Sequence, residues 1–200
     1  VFSREGEFNG YYGANRVEKT GEVILNAFWK LIMTTEQIKR MKRSVPVELS
    51  NFDIDDDNFV YTVTKNKNSD TDVLKKMNSA GTNIFINLGY NEYSFGDPLI
   101  KYYRGTTYSS QICDVDVGPN GEINLLDLQT GRVFQYDDEC TLMFIFGGSG
   151  DQKGTFTTVN AVESIGTDVY VLDSRKSTIT VFKRTEFGSI VHEAMSLFNA

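Results

Sequence analysis

The stretch VFSREGEFNGYYG opens the chain, and a closely similar pattern returns at Phe134–Gly148 as FQYDDECTLMFIFGG. Set against Tyr136, Phe2 begins a gapless match in which Phe8 meets Leu142, Tyr11 meets Ile145, Tyr12 meets Phe146 and Gly13 meets Gly147. Each copy reads as strand, short polar turn, strand and glycine. A weaker copy runs from Val73 through LKKMNSAG, and a fourth begins at Ile179 as ITVFKRTEFG. The segments before these copies also repeat. FDIDDDNFVYTVT at Phe52–Thr64, CDVDVGPNGEINLLD at Cys113–Asp127 and NAVESIGTDVYVLD at Asn160–Asp173 each give an apolar strand, a polar turn and an apolar strand ending in Asp or Thr. β-branched and aromatic residues suit the strands, and Asp, Asn and Gly tolerate the backbone angles of the turns.

A unit of up to four antiparallel strands recurring at this period is the pattern of a β-propeller blade. Asp55, Gly118 and Glu163 are expected at equivalent places. The fold class is therefore all-β: a partial β-propeller of about three and a half blades, with a helical insertion and a C-terminal helix. Residues 1–13 read as the outer strands of an incomplete blade and 14–46 as the insertion. Blades follow at 47–88, at 89–148 with an inserted segment Gly89–Ser110, and at 149–186, and 187–200 begins a helical extension. In the insertion, Val23, Ile24, Ala27, Phe28, Leu31 and Ile32 share a helix face, Thr34 with Gln37 resembles a capping box, and Pro46 ends the pattern. Ile190, Ala194, Leu197 and Phe198 give Ser189–Ala200 an apolar stripe, expected to pack on the last blade or on a partner because a helix of about 12 residues is marginal alone. Beginning at Val and stopping inside a helical pattern, the chain reads as a piece of a larger ring.

Composition sets the outer limits. At 40% apolar and 12% aromatic residues the chain can build a core, and its net charge of −7 argues against a nucleic-acid partner. The basic cluster Lys39–Arg43 reads as a solvated helix face. No apolar run reaches the roughly 20 residues that span a bilayer, so any membrane anchor would lie elsewhere in a longer chain. Cys113, in a strand, and Cys140, in a turn, are no disulfide framework.

Candidate sites are few. His192 is the sole histidine, which disfavours a Ser-His-Asp triad or a histidine-rich metal centre; it reads as a surface residue of the terminal helix. Asp53, Asp55 and Asp57 have the spacing of a calcium loop, but Asn58 and Thr64 stand where its Gly and Glu belong, so a strand turn is the better reading. Asp53 and Asp116 occupy equivalent inner-strand positions and are the candidates for a calcium ion, against an ordinary role capping backbone or facing solvent. Asp127 and Asp173 end second strands and are expected to accept backbone hydrogen bonds from the next turn. GGSG at Gly147–Gly150 lacks the Lys-Ser/Thr and helix of a phosphate loop. Tyr102–Arg104 could form a ligand face or an outer strand.

The units resemble NHL repeats, whose pattern runs apolar-Val-Asp-x-x-Gly-Asn-Ile-Tyr-Val-x-Asp, a turn, Arg-Val, an aromatic and an FGG-like strand end. DVGPNGEINLLDLQTGRVFQYDDECTLMFIFGG and VYVLDSRKSTITVF carry the likeness. Asp55 keeps the family's first Asp where Gly118 and Glu163 depart from it, and Gly121 keeps the turn glycine where Asn58 departs. A narrower resemblance is to bacterial proteins in which an NHL propeller precedes tetratricopeptide-like helices and a Yip-type membrane domain, which implies an envelope-associated scaffold. The expectation is a scaffold that is not an enzyme, with no catalytic residues and no cofactor, binding a protein partner or a glycan. The alternatives are a calcium-dependent propeller enzyme of lyase or lactonase type, and a rigid spacer.

Overall fold

The computed structural model describes residues 3–8, 12–13, 48–65, 73–85, 95–97, 101–103, 106–108 and 110–199. The chain divides into two units, Val1–Glu48 and Leu49–Ala200. The expected helices of Glu18–Arg43, the basic cluster within them and Arg104 lie outside the described residues.

The second unit is all-β with one C-terminal helix. Strands β1 (Asn51–Ile54), β2 (Val60–Val63) and β3 (Leu74–Met77) form one antiparallel sheet. β4 (Lys101–Tyr103) and β5 (Thr106–Tyr108) form a separate hairpin, so the Gly89–Ser110 insertion brings its own two-stranded sheet. β6 (Ile112–Val117), β7 (Ile123–Asp127), β8 (Arg132–Tyr136) and β9 (Leu142–Gly147) make a complete four-stranded meander. β10 (Val159–Ile165), β11 (Asp168–Asp173) and β12 (Thr178–Phe182) make the last sheet, and helix α1 (Glu186–Asn199) follows. The three meanders adjoin through their first strands, β1 beside β6 and β6 beside β10. This is the arrangement of part of a propeller, unclosed among the described residues.

The repeat is visible at the level of single hydrogen bonds. In the β8–β9 turn, Asp137 N donates to Thr141 O at 3.0 Å, Cys140 N to Asp137 O at 3.1 Å and Thr141 N to the Asp137 carboxylate at 2.7 Å. After β3, Asn78, Gly81 and Thr82 repeat those three bonds at 3.1, 2.8 and 3.0 Å. In the first unit, Ser3, Gly6 and Glu7 do so at 2.7, 3.0 and 3.1 Å. The fourth turn residue has positive φ in every copy: Gly6 at 86°, Gly81 at 74° and Cys140 at 64°. The remainder of the Phe2–Gly13 match lies largely outside the described residues. The turns after the first strands obey the same rule, and Asn58 (φ 65°) takes the conformation that Gly121 (φ 81°) takes in the next sheet, Asn being one of the few side chains that enter this region readily. The Asp55 carboxylate accepts from Asp57 N at 3.0 Å and Phe59 N at 2.8 Å, the strand-turn role expected of it.

The third repeat departs from expectation. Glu163 lies inside β10, paired with Tyr170, and the turn is the tight Gly166-Thr167 that follows the Ile165–Asp168 pair. The equivalent turn position is thus Gly166 rather than Glu163. ITVFKRTEFG does not complete a fourth copy, because after β12 the chain enters α1. GGSG leads from β9 toward β10, with Phe156 N bonded to Gly148 O at 2.8 Å and Gly150 N to Phe156 O at 2.9 Å.

Alternation decides which sheets are fully buried. Ile123, Leu125, Phe134 and Tyr136 face the first meander and pack with Tyr61, Val63 and Leu74. Leu126 and Val133 point the other way, to Val159, Val162, Val169 and Val171. The middle meander is therefore covered on both faces, which is why every residue of β7 is buried. Cys113 and Cys140 are free thiols associated with different core clusters, and burial pushes each up to about 12.

Asp127 and Asp173 fasten each of these meanders at its far end. Asp127 accepts from Gln129 N in the following turn and from Gln111 N before β6, both at 2.9 Å, and from the hydroxyls of Ser110 and Thr130. Asp173 does the same with Arg175 N and Lys176 N, both at 3.0 Å, and with Thr157 N at 2.6 Å. The expected role in the turn is present, and a bond to the segment entering the first strand is added. Replacing Asp127 with Ala leaves a cavity at a buried position and strands several partly buried donors, so Asp127→Ala is expected to lose about 2 kcal/mol of stability in urea unfolding, against about 0.5 kcal/mol or less for Asp56→Ala on the surface.

Candidate functional site

The inner strands present a run of carboxylates, and their partners are backbone amides of the next meander. Asp53 accepts from Ile54 N at 2.8 Å and, across the sheets, from Val117 N at 2.7 Å. Asp114 accepts from Val162 N at 2.7 Å and from the Asn51 side chain. Asp116 accepts from Ser164 N at 2.9 Å, Ser164 Oγ at 3.1 Å and Asn124 Nδ2 at 2.7 Å. Burial pushes the Asp114 and Asp116 carboxyls up, more than these bonds pull them down. Glu163 is also raised, by partial burial and by the neighbouring charges of Asp116, Asp53 and Asp114. Asp53 and Asp116, the calcium candidates, thus work as clamps between first strands, and among the described residues no set of three His, Cys, Asp or Glu side chains is arranged to hold a metal ion.

The more elaborate constellation starts at Asp116 and crosses the middle meander. Register places Asp116 opposite Asn124, Asn124 opposite Gln135, and Gln135 opposite Phe144. Three side chains of that row, Asp116, Asn124 and Gln135, are polar and buried. Asn124 Nδ2 donates to Asp116, Gln135 Nε2 donates to Asn124 Oδ1 at 2.8 Å, and Gln135 Oε1 lies 3.0 Å from His192 Nε2. A carboxylate can only accept. Its position at one end therefore fixes both amides, and His192 Nε2 must donate.

His192 is not the surface residue that the sequence suggested. Its side chain is 11% exposed, its ring lies 5.6 Å from that of Phe144, and its Nδ1 faces Glu122 Oε1 at 3.7 Å. Glu122 is bound by Arg184 Nη2 at 2.6 Å. Burial alone would raise the Glu122 carboxyl, but the hydrogen bonds it accepts from Arg184 and Asn120, together with its backbone bond and the Arg184 charge, outweigh that and hold it below its ordinary range. Burial lowers His192, the Arg184 charge adds to that, and Glu122 opposes both, with a net shift below 6.5. His192 is then neutral near pH 7, with its lone pair on Nδ1.

Two concavities share Arg184 and His192 as a common wall. One, of about 200 Å3, lies between β9, the last sheet and α1, with Phe144, Phe146, Val169 and Phe182 on its sides. The other, of about 510 Å3, runs under α1 past Glu122, Asp138 and Glu193. α1 reaches this position by a Thr185 N-cap, whose Oγ1 accepts from Gly188 N at 3.1 Å. Its first turn sits close to the preceding chain at Gly188, where an added Cβ would lie 3.2 Å from Arg184 Cγ.

The face that α1 turns to the body contains Gly188, Val191, His192 and Met195, and this face meets the middle meander. The expected packing of its apolar stripe on the last blade does not occur. Phe187, Ile190, Leu197 and Phe198 are 68, 57, 73 and 84% exposed. Gln135, Asn124, Glu122 and Arg184 were not singled out from the sequence; the available signal was a polar residue interrupting otherwise apolar strands, as in INLLD and VFQY.

No family model matches the chain, and no curated protein is detectably similar to it. Among solved structures, it is similar to a catalytically inactive virginiamycin B lyase from Staphylococcus aureus with quinupristin, at 11% identity and a TM-score of 0.40, over 68% of this chain and 41% of that one. The chain spans less than half the length of that protein. The flat expectation that the chain is not an enzyme is corrected here, since the matched structure is that of a lyase. The count of histidines was also the wrong basis for it: one histidine suffices for a buried His-Glu-Arg cluster. A likeness at this level assigns no activity to the chain.

The His192 shift has a definite sign. The folded form binds its proton more weakly than the unfolded form, so this contribution to stability is complete above about pH 6.5 and is lost as pH falls through the folded value. NMR titration of the single imidazole is expected to give a midpoint below 6.5, and His192→Phe is expected to flatten the slope of stability against pH just below that value.

Proposed function

We propose that the chain is a propeller-type scaffold that binds a partner protein through its C-terminal end. The observation that carries this reading is the outward stripe of α1. Phe187, Ile190, Ala194 and Leu197 recur at spacings of three, four and three, with Phe198 beside them, and the helix is already held to the body by its other face. Large apolar side chains gathered on one exposed face are characteristic of protein contact surfaces. The neighbouring sheet supports the same reading. β12 pairs only with β11 among the described residues, and Ile179 and Val181 on it are exposed. An open strand edge of this kind invites pairing by another chain. The NHL resemblance and the envelope-associated setting belong to this proposal.

Photo-crosslinking tests it. A photoreactive residue at position 190 or 197, in cells, is expected to give one dominant protein adduct, abolished by Phe187→Asp with Phe198→Asp. The same group at exposed position 56 is expected to give none. A diffuse ladder from all three positions, or no adduct from 190 and 197, would falsify the reading.

A further inference from the structure

The helix-roofed cavity and the groove beside it have features that packing alone does not require. Burying Asp116, Asn124 and Gln135 in a row costs solvation at each side chain, and an apolar row would fill the same space. What the row achieves is orientation: it turns His192 Nε2 inward as a donor and leaves the Nδ1 lone pair toward the shared wall. Nδ1 there faces a carboxylate oxygen at 3.7 Å, two acceptors with no hydrogen between them. Arg184 is held by Glu122 through Nη2, and among the described residues its other nitrogens have no protein acceptor. The wall therefore offers one acceptor and several donors side by side. A peptide group, with its N–H and C=O, supplies the complement.

Charge and volume narrow the occupant. Arg184 and Glu122 neutralise each other, so an uncharged group suits the wall. The smaller cavity has aromatic sides and about 200 Å3, and a cavity of about 150 Å3 already accepts benzene. The larger groove carries the exposed carboxylates of Asp138 and Glu193 with Glu122 behind them, so it complements a cation. We infer that the two concavities form one peptide-binding site, taking from a partner protein an extended segment in which an aromatic or large aliphatic residue is followed by a basic one. The apolar side chain enters between Phe144, Phe146 and Phe182. The peptide group after it bonds to Arg184 and to His192 Nδ1, and the basic side chain lies toward Asp138 and Glu193. This inference rests on the protein-binding reading and names a second contact, separate from the outward stripe of α1.

The test uses the chain with three capped dipeptides, acetyl-Phe-Lys-amide, acetyl-Phe-Glu-amide and acetyl-Ala-Lys-amide, followed by NMR. Acetyl-Phe-Lys-amide is expected to bind at least about tenfold more tightly than either of the others, equivalent to about 1.4 kcal/mol, and to shift the ring signals of His192 and Phe144. The double variant Asp138→Lys, Glu193→Lys alters exposed positions only and is expected to remove the preference for Lys over Glu. His192→Phe keeps a ring against Phe144 but leaves Gln135 Oε1 without its donor, so it is expected to lower the melting temperature and, measured where the variant is fully folded, to weaken the Phe-Lys peptide by about tenfold. Equal binding of the three peptides, shifts confined to residues away from Phe144 and His192, or dimerisation of the chain that occludes the cavity would each overturn the inference. If the peptides fail while crosslinks from positions 190 and 197 persist, the peptide site falls and the scaffold reading stands.

Discussion

A carboxylate on one first strand accepting a backbone amide of the next is the interaction on which the arrangement of the sheets depends. Among the described residues neighbouring meanders share no β-ladder, since their strands pair only within each sheet. Apolar contact between sheet faces supplies most of the attraction, but it is non-directional and permits sliding. Asp53 to Val117 N, Asp114 to Val162 N and Asp116 to Ser164 N set the register of one sheet against another at 2.7, 2.7 and 2.9 Å. Charge-assisted bonds are stronger than neutral ones, and an amide left unpaired here would be costly. At the far end of β7 and β11, Asp127 and Asp173 perform the corresponding task within a meander, tying the turn that follows to the segment that enters.

The meanders were legible in the sequence because the two parts of each unit that need particular residues are the turns and these carboxylates. A five-residue turn needs a residue at its fourth place that accepts positive φ, and Gly6, Gly81, Gly121 and Asn58 announce it. Cys140 occupies that place without any residue-level signal, and only the alignment with Gly6 points to it. Glu163 was misplaced for a related reason. The turn after β10 has two residues rather than five, and an alignment by strand content alone cannot detect a shorter turn between equally apolar strands.

The candidate site was much less legible. A helix is ordinarily oriented by its more apolar stripe, and that rule turns α1 the wrong way. Its inward face is the less hydrophobic one, because what receives it is the edge of a sheet already filled by Phe144 and Gln135. Gly188 leaves room for the Arg184 side chain, whose Cγ an added Cβ would approach to 3.2 Å, and His192 and Asn199 supply polar contacts, the latter reaching Asp137 at 3.3 Å. With the orientation reversed, His192 moves from solvent to a buried network and the strongest apolar residues move from core to surface. Nothing local in SIVHEAMSLFNA distinguishes these two outcomes; the deciding partners, Gln135 and Glu122, are 57 and 70 residues earlier.

The row from Asp116 to His192 links the two principal features of the fold. One Asp116 oxygen takes Ser164, fixing the last sheet, and the other takes Asn124, beginning the chain of amides that ends on α1. The same carboxylate thus sets the position of the last sheet and, through one side chain on each of β7 and β8, the tautomer of a histidine on α1. Reversing Asn124 would oppose its carbonyl to a carboxylate, and reversing Gln135 would oppose two carbonyl oxygens at Asn124 and two donors at His192, so no member can turn alone without leaving like groups face to face in a buried site. That constraint makes the orientation of His192 a consequence of how the sheets are clamped, and it explains how an isolated histidine on a terminal helix can hold a defined lone-pair direction without a catalytic triad around it.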